Sequence, residues 1–114
     1  MPLIKHIEIS DLQPIQDKAH ITKINYYSSM DSKYQKTSLP EVWEIKNKIY
    51  IVDGHHRILA NHFKKKEKIK VIFHNPKDYS NKKESYKYVT EEILKFGNQI
   101  KSKGIYHIKD LKLV

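Results

Sequence analysis

The sequence predicts an α+β domain in which three helices flank a small mixed β-sheet. Three observations carry that expectation. Val42-Trp43-Glu44-Ile45 and Ile49-Tyr50-Ile51-Val52 are β-rich runs on either side of the short polar stretch Lys46-Asn47-Lys48, the spacing of a hairpin. Elsewhere, apolar residues recur at three- and four-residue steps in three separate stretches, as in helices that bury one face. A length of 114 residues allows one ordinary core, so residues 1–114 read as a single domain.

The elements follow in order. Ile4, Ile7 and Ile9 among polar residues predict a short first strand over 4–9. Ser10-Asp11-Leu12-Gln13-Pro14 then reads as a turn, with Pro14 favouring an extended approach. Ile21, Ile24, Tyr27 and Met30 recur at three-residue steps and predict a helix over about 20–31. The polar stretch 32–40 ends in Pro40 and reads as a loop. After the hairpin, Gly54 stops the second strand, and Ile58, Leu59 and Phe63 supply the stripe of a helix over 57–64. Lys64-Lys65-Lys66 places positive charge where that helix's dipole favours cations. Ile69-Lys70-Val71-Ile72-Phe73 predicts a further strand, broken by Asn75-Pro76. Tyr86, Val89, Ile93, Phe96 and Ile100 mark a long helix, with Gly104 as its C-cap. Ile105-Tyr106-His107-Ile108 reads as a last strand, followed by a tail over Asp110 to Val114; together this C-terminal helix and strand span about 83–109.

Composition narrows the function classes. With 39% hydrophobic and 31% charged residues, the chain reads as globular rather than disordered. No apolar run is long enough to span a bilayer, and the first ten residues lack the apolar stretch of a secretory signal, so a cytoplasmic location without membrane partners is expected. Cysteine is absent, which excludes disulfides, thiolate metal sites and a Cys nucleophile. The net charge of +9 favours encounter with polyanions, and a generally Lys-rich surface accounts for it equally well. Arg57 is the only arginine, so base readout through Arg forks is not expected.

The chemistry concentrates in Val52-Asp53-Gly54-His55-His56-Arg57, where a buried strand turns into a helix. The first N–H groups of a helix lack intrahelical partners, and the dipole there favours an anion. Gly54 allows close backbone approach to a ligand. Asp53 is suited to cap the helix or to hold a neighbouring His in one tautomer. Arg57 is suited to grip a phosphate by two parallel hydrogen bonds. His55 and His56 can donate to phosphate oxygens or move a proton near neutral pH. Gly54, His55, His56 and Arg57 are therefore the candidate phosphate ligands, and Asp53, His55 and His56 the candidate catalytic groups. The competing account is a plain Asp-Gly turn, since a strand-to-helix junction needs a glycine and an N-cap in any case.

The run Ile-Tyr-Ile-Val-Asp-Gly-His-His-Arg-Ile-Leu-Ala, beginning at Ile49, resembles the central motif of ParB/sulfiredoxin-like domains. Leu39-Pro40-Glu41-Val42 before it, Ile69-Lys70-Val71 after it, and Ile9-Ser10-Asp11-Leu12-Gln13-Pro14-Ile15-Gln16 fit the same layout. The resemblance covers about 4–73. It implies the fold of that family and a Gly-x-x-Arg turn holding nucleotide phosphates, here Gly54, His55, His56 and Arg57. It further implies phosphoryl transfer, nucleotide hydrolysis or nuclease chemistry, with magnesium carried by a nucleoside di- or triphosphate. Sulfiredoxin activity needs a Cys in this motif and is excluded. Serine kinases of the family use an acidic residue near the first turn as base; that neighbourhood here holds Gln16 and Asp17. The helix-turn-helix domain that follows this one in partition proteins is not expected in the remaining residues. A non-enzymatic DNA- or RNA-binding module is the alternative function.

Weaker features complete the reading. Gln16, Asp17 and Ser38 are possible substrate contacts, or polar loop residues. His55 and His62 lie about two helical turns apart, so His55, His56 and His62 predict no metal site. Tyr26, Tyr27, Tyr34, Tyr79, Tyr86, Tyr88 and Tyr106 can stack on bases or fill the core, with Tyr27 and Tyr86 on apolar faces. Trp43 is expected to be buried. The stretch 64–70, with five Lys and one Glu, is either a solvated helix end or a track for a nucleic-acid backbone.

Overall fold

A computed structural model describes residues 3–29, 39–75 and 83–114. Five strands form one mixed sheet: β1 (Leu3–Glu8), β2 (Leu12–Gln13), β4 (Glu41–Ile45), β5 (Lys48–Asp53) and β6 (Lys68–His74), in the order β1-β6-β4-β5-β2. β1 runs antiparallel to β6 and β4 antiparallel to β5, while β6 with β4 and β5 with β2 are parallel. A separate pair joins β3 (Lys18–Ala19) to β7 (Lys112–Leu113) in parallel. Three α-helices lie among the described residues: α1 (Ile21–Ser29), α2 (His55–Phe63) and α3 (Lys83–Lys101). The α+β class, the mixed sheet and the three helices are as the sequence predicts.

The hairpin between β4 and β5 is tighter than the polar spacing suggests. Lys46 and Asn47 alone make the turn, both at positive φ (51° and 67°), and Lys48 already pairs with Ile45. Two such residues give the twist that matches antiparallel strands. Past the turn, β5 carries the chain back to the site, and α2 returns it over one sheet face to β6.

Each sheet face has its own cover. On one, Ile58, Leu59 and Ala60 of α2 pack in a cluster with Val42, Ile51 and Val71, all nearly inaccessible to solvent, and Ile24 of α1 joins them. Removing one of these side chains to Ala costs about 2–5 kcal/mol in a core that cannot collapse. On the other face, Trp43, Ile45 and Tyr50 meet Ile93 of α3. Gly97 lets α3 settle there: a Cβ at this position would stand 2.9 Å from Tyr50 Cε1. This explains why Phe96, on the expected apolar stripe, is left 41% exposed while its glycine neighbour is buried.

The end of α3 is closed as expected. Gly104 has φ 81°, its N–H bonds Lys101 O at 2.9 Å, and the Ile105 N–H bonds Ile100 O at 3.2 Å. This pair of bonds is a Schellman closure. The last strand, by contrast, is not at 105–108. Ile105, Ile108 and Leu111 are all buried, and a spacing of three cannot be met by a strand, whose faces alternate every residue. The chain instead makes a 3₁₀ turn at Ile108–Asp110, where the Asp110 carboxylate accepts the N–H of Tyr106 (3.1 Å) and of His107 (3.0 Å). The strand comes later, as β7, in what reads from sequence as a tail. Among the described residues, no helix is long and apolar enough to cross a membrane.

Candidate functional site

β5 ends at Asp53, and Gly54 turns the chain into α2 at φ 97° and ψ 25°. That left-handed conformation favours glycine. Packing demands it as well, because a Cβ on Gly54 would stand 2.8 Å from Pro40 Cβ and 2.9 Å from Pro40 Cα. The segment entering β4 is thus pressed against the turn. Gly54 O accepts the Ile58 N–H at 3.0 Å, and no side chain caps the helix start. The N–H groups of His55 and His56 have no partner within the helix.

Asp53 neither caps α2 nor holds a histidine, the two roles that its position suggests. Its Oδ2 accepts from Arg57 Nη2 at 2.9 Å, one helical turn on. Arg57 is only 8% exposed, and its guanidinium faces the Tyr27 ring at 5.8 Å. The carboxylate and the ring together hold the planar group in place.

The two adjacent histidines have different fates. His55 is buried, and its Nε2 accepts the Ile15 N–H at 3.1 Å, so the proton of the neutral ring sits on Nδ1. Burial, with a smaller contribution from neighbouring His56, pushes its pKa down to about 3. His55 is thus a neutral strut that pins the segment after Pro14, and its ring does not line the cleft described below. What it offers an anion is its backbone N–H. The His56 ring does line the cleft; its Nε2 accepts the His20 N–H at 3.0 Å, and it stacks on the His20 ring at 5.9 Å. Burial first, then Lys23 and His20, lowers its pKa. Nδ1 is the ring atom left for a ligand.

The cleft has a volume of about 360 Å³. One wall is Asp53, Gly54, His56 and Arg57; the other is Thr22, Lys23, Tyr26 and Tyr27 of α1. The α1 wall has no motif in the sequence beyond Tyr26 and Tyr27, which read there as residues that stack on bases or fill the core. Gln16 and Asp17 do not reach the cleft: the Gln16 amide donates to Lys18 O at 2.7 Å, and Asp17 pairs with Lys103 at 2.9 Å. Ser38 lies outside the described residues. No group of three His, Asp or Glu is placed to hold a metal among the described residues. Among the described residues, Asp53 is the one carboxylate lining the cleft.

A larger hollow, about 690 Å³, lies at the other end of α2 between His62, Lys65, Lys66 and the 107–109 segment. Size favours it, but its charged side chains are those of exposed lysines and glutamates, whereas the cleft holds a buried, oriented guanidinium at a helix start.

No family model matches the sequence, and no curated protein matches it. Among solved structures, the fold is similar to that of protein Atu1540 from Agrobacterium tumefaciens, with a TM-score of 0.51 and 21% identity over 65% of this chain. The match covers 39% of that protein, so this chain spans well under half of it, and the likeness is one of fold.

Proposed function

We propose that the chain is a ParB-like domain that binds a phosphoryl group, free or on a nucleotide, in the cleft between α1 and the start of α2. One observation carries the reading: Arg57, the only arginine, is buried and oriented by Asp53 at a glycine-built helix start that Lys23 faces across the cleft. Backbone donors, a helix dipole and two cations converge there, which suits a phosphate. The sequence resemblance to ParB/sulfiredoxin-like domains points the same way, and a cytoplasmic location belongs with it.

A magnesium ion carried in by the phosphates would need one or two carboxylates at most, and among the described residues that line the cleft Asp53 would be the one to hold it. Phosphoryl transfer or hydrolysis would draw on Arg57 to neutralise developing charge and on His56, whose free Nδ1 is the ring atom available to a substrate. His55, held neutral and hydrogen-bonded, would keep the frame. The alternative is a non-enzymatic nucleic-acid module that uses the same turn for a backbone phosphate and a Lys-rich surface, Lys64, Lys65 and Lys66 included, for affinity, or a nuclease with a His as general base.

The test is a calorimetric titration of ATP, ADP, CTP and GTP with magnesium on the wild type, Arg57→Ala and Lys23→Ala. Saturable binding weakened tenfold or more in both variants is expected. Weak binding of DNA or RNA that is steeply salt-dependent and indifferent to Arg57→Ala, with no nucleotide binding, would favour the alternative.

A further inference from the structure

We propose that the outer edge of β1 is a docking site for an extended, acidic segment of a partner protein, which adds to the sheet as a sixth strand. The site is separate from the cleft, with β6 and β4 lying between β1 and β5. The two edges of the sheet are unequal. β2 is two residues long, too short to template another strand, whereas β1 runs six residues in unbroken register with β6. The backbone pattern shows what β1 leaves open. The Ile9 N–H bonds Glu67 O at 2.8 Å, and the Ile72 N–H turns away from β1 to bond Pro40 O at 2.8 Å. Hydrogen-bonded pairs alternate along an antiparallel ladder, so Leu3, Lys5 and Ile7 bond β6, and the N–H and C=O groups of Ile4, His6 and Glu8 point outward. Among the described residues no strand takes them up.

The side chains decide which strand fits. Leu3 and Ile4 are 51% and 60% exposed, an apolar pair on the kind of edge that proteins guard with charge, proline or a bulge. Lys5 does not guard it: its Nζ lies 4.1 Å from the Phe73 ring centroid, folded back on the face that α2 covers. On the opposite face His6 stands across from Lys70. Among the described residues neither Lys5 nor Lys70 has a carboxylate in ion-pair range, and the one acid on the strand, Glu8, is 3.8 Å from Lys68. The complementary strand therefore has apolar side chains against Leu3 and Ile4 and carboxylates against Lys5 and His6. A second copy lacks that form: full overlap of two antiparallel β1 strands sets His6 on His6 and brings together two chains of net charge +9. Main-chain bonds give such a complex its affinity, and alternate side chains its specificity.

The test is fluorescence anisotropy with a dye-labelled, end-blocked octapeptide of Val and Thr carrying two central Glu, against the same peptide carrying two central Lys. The proteins are the wild type, His6→Pro, and the double variant Lys5→Glu with Lys70→Glu. The wild type should bind the acidic peptide about tenfold more tightly than the basic one. His6→Pro removes an outward N–H and no bond to β6, a change that an edge strand tolerates, so it should weaken the acidic peptide about tenfold with the melting temperature little changed. The double variant, which needs no proline, should reverse the preference. Equal affinity for the two peptides in the wild type, or a preference that survives the double variant, would overturn the proposal, as would undiminished binding by a folded His6→Pro. Sedimentation should show a monomeric wild type at the concentrations where the peptide binds. A dimer that His6→Pro abolishes would overturn the acidic occupant in favour of a second copy.

Discussion

The two ends of α2 are both rich in positive charge, yet they are built in opposite ways. At the start, one arginine is buried, paired with Asp53 and set beside a glycine whose backbone and close approach to Pro40 disfavour any side chain. At the finish, Lys64, Lys65 and Lys66 stand in solvent around a wider hollow. Those lysines have a sufficient local reason to be there, because cations at a helix C-terminus complement its dipole. Arg57 has none of that kind: it sits in the first turn, where the dipole opposes a cation, and is held there by a carboxylate and a ring. The comparison teaches that a count of charges locates neither site; the end where charge is placed against local preference is the one to test.

The largest effect expected is at Gly54. Gly54→Ala combines the cost of a left-handed backbone with a clash against Pro40, together about 2–5 kcal/mol. Urea denaturation should show that loss, whereas Lys65→Ala at the other end should not.

Next comes His55. Its pKa is about 3 in the folded protein against 6.5 unfolded, so below pH 6.5 the unfolded chain takes up a proton that the folded one refuses. The stability this ring confers is complete above pH 6.5 and is lost as pH falls toward 3, by an amount of the order of a few kcal/mol. Melting temperatures of the wild type should therefore fall more steeply between pH 7 and 4 than those of His55→Asn.

Arg57→Ala should cost about 1–3 kcal/mol, mainly through its buried stem, because the partner carboxylate is 62% exposed and solvent-screened. Arg57→Lys should recover part of that stability but little of the anion affinity, since an ammonium lacks the guanidinium fork. Chemical denaturation and phosphate titration of the two variants separate packing from recognition.

The smallest effect is expected from Lys65→Gln with Lys66→Gln. Stability should change by no more than about 0.5 kcal/mol and nucleotide affinity should stay the same. A large loss of nucleotide binding there would move the site to the other end of the helix.

Much of the fold is legible in the sequence because strong patterns match large buried surfaces. The hairpin, α2 and β6 all have clear periodicity, and each contributes to the main core. β2, β3 and β7 are missed, β2 within a stretch that reads as a turn, because two residues per strand carry no period. The expected strand at 105–108 fails because its buried residues follow a three-residue step. For the candidate site, the motif is visible, since Gly54, His56 and Arg57 all line the cleft. The division of labour between His55 and His56 is not, because it depends on which ring meets the Ile15 N–H, a contact forty residues away. Nor is the α1 wall, which becomes a wall only when the tertiary fold sets it across from Gly54.

That wall is laced into place from far along the chain. Lys112 N–H bonds Asp17 O, Val114 N–H bonds Ala19 O, and Val114 O accepts the Ile21 N–H, each at 2.9 Å. The residues after Leu111 thus act as a drawstring on the first turn of α1, which carries Thr22 and Lys23. A purification tag or reporter spliced in at 112 would slacken the cleft from behind without touching any residue that lines it, so labels belong at the opposite terminus. The amide of Ile21 becomes a remote gauge: faster hydrogen exchange there would signal an untied C-terminal strand before any change in the core.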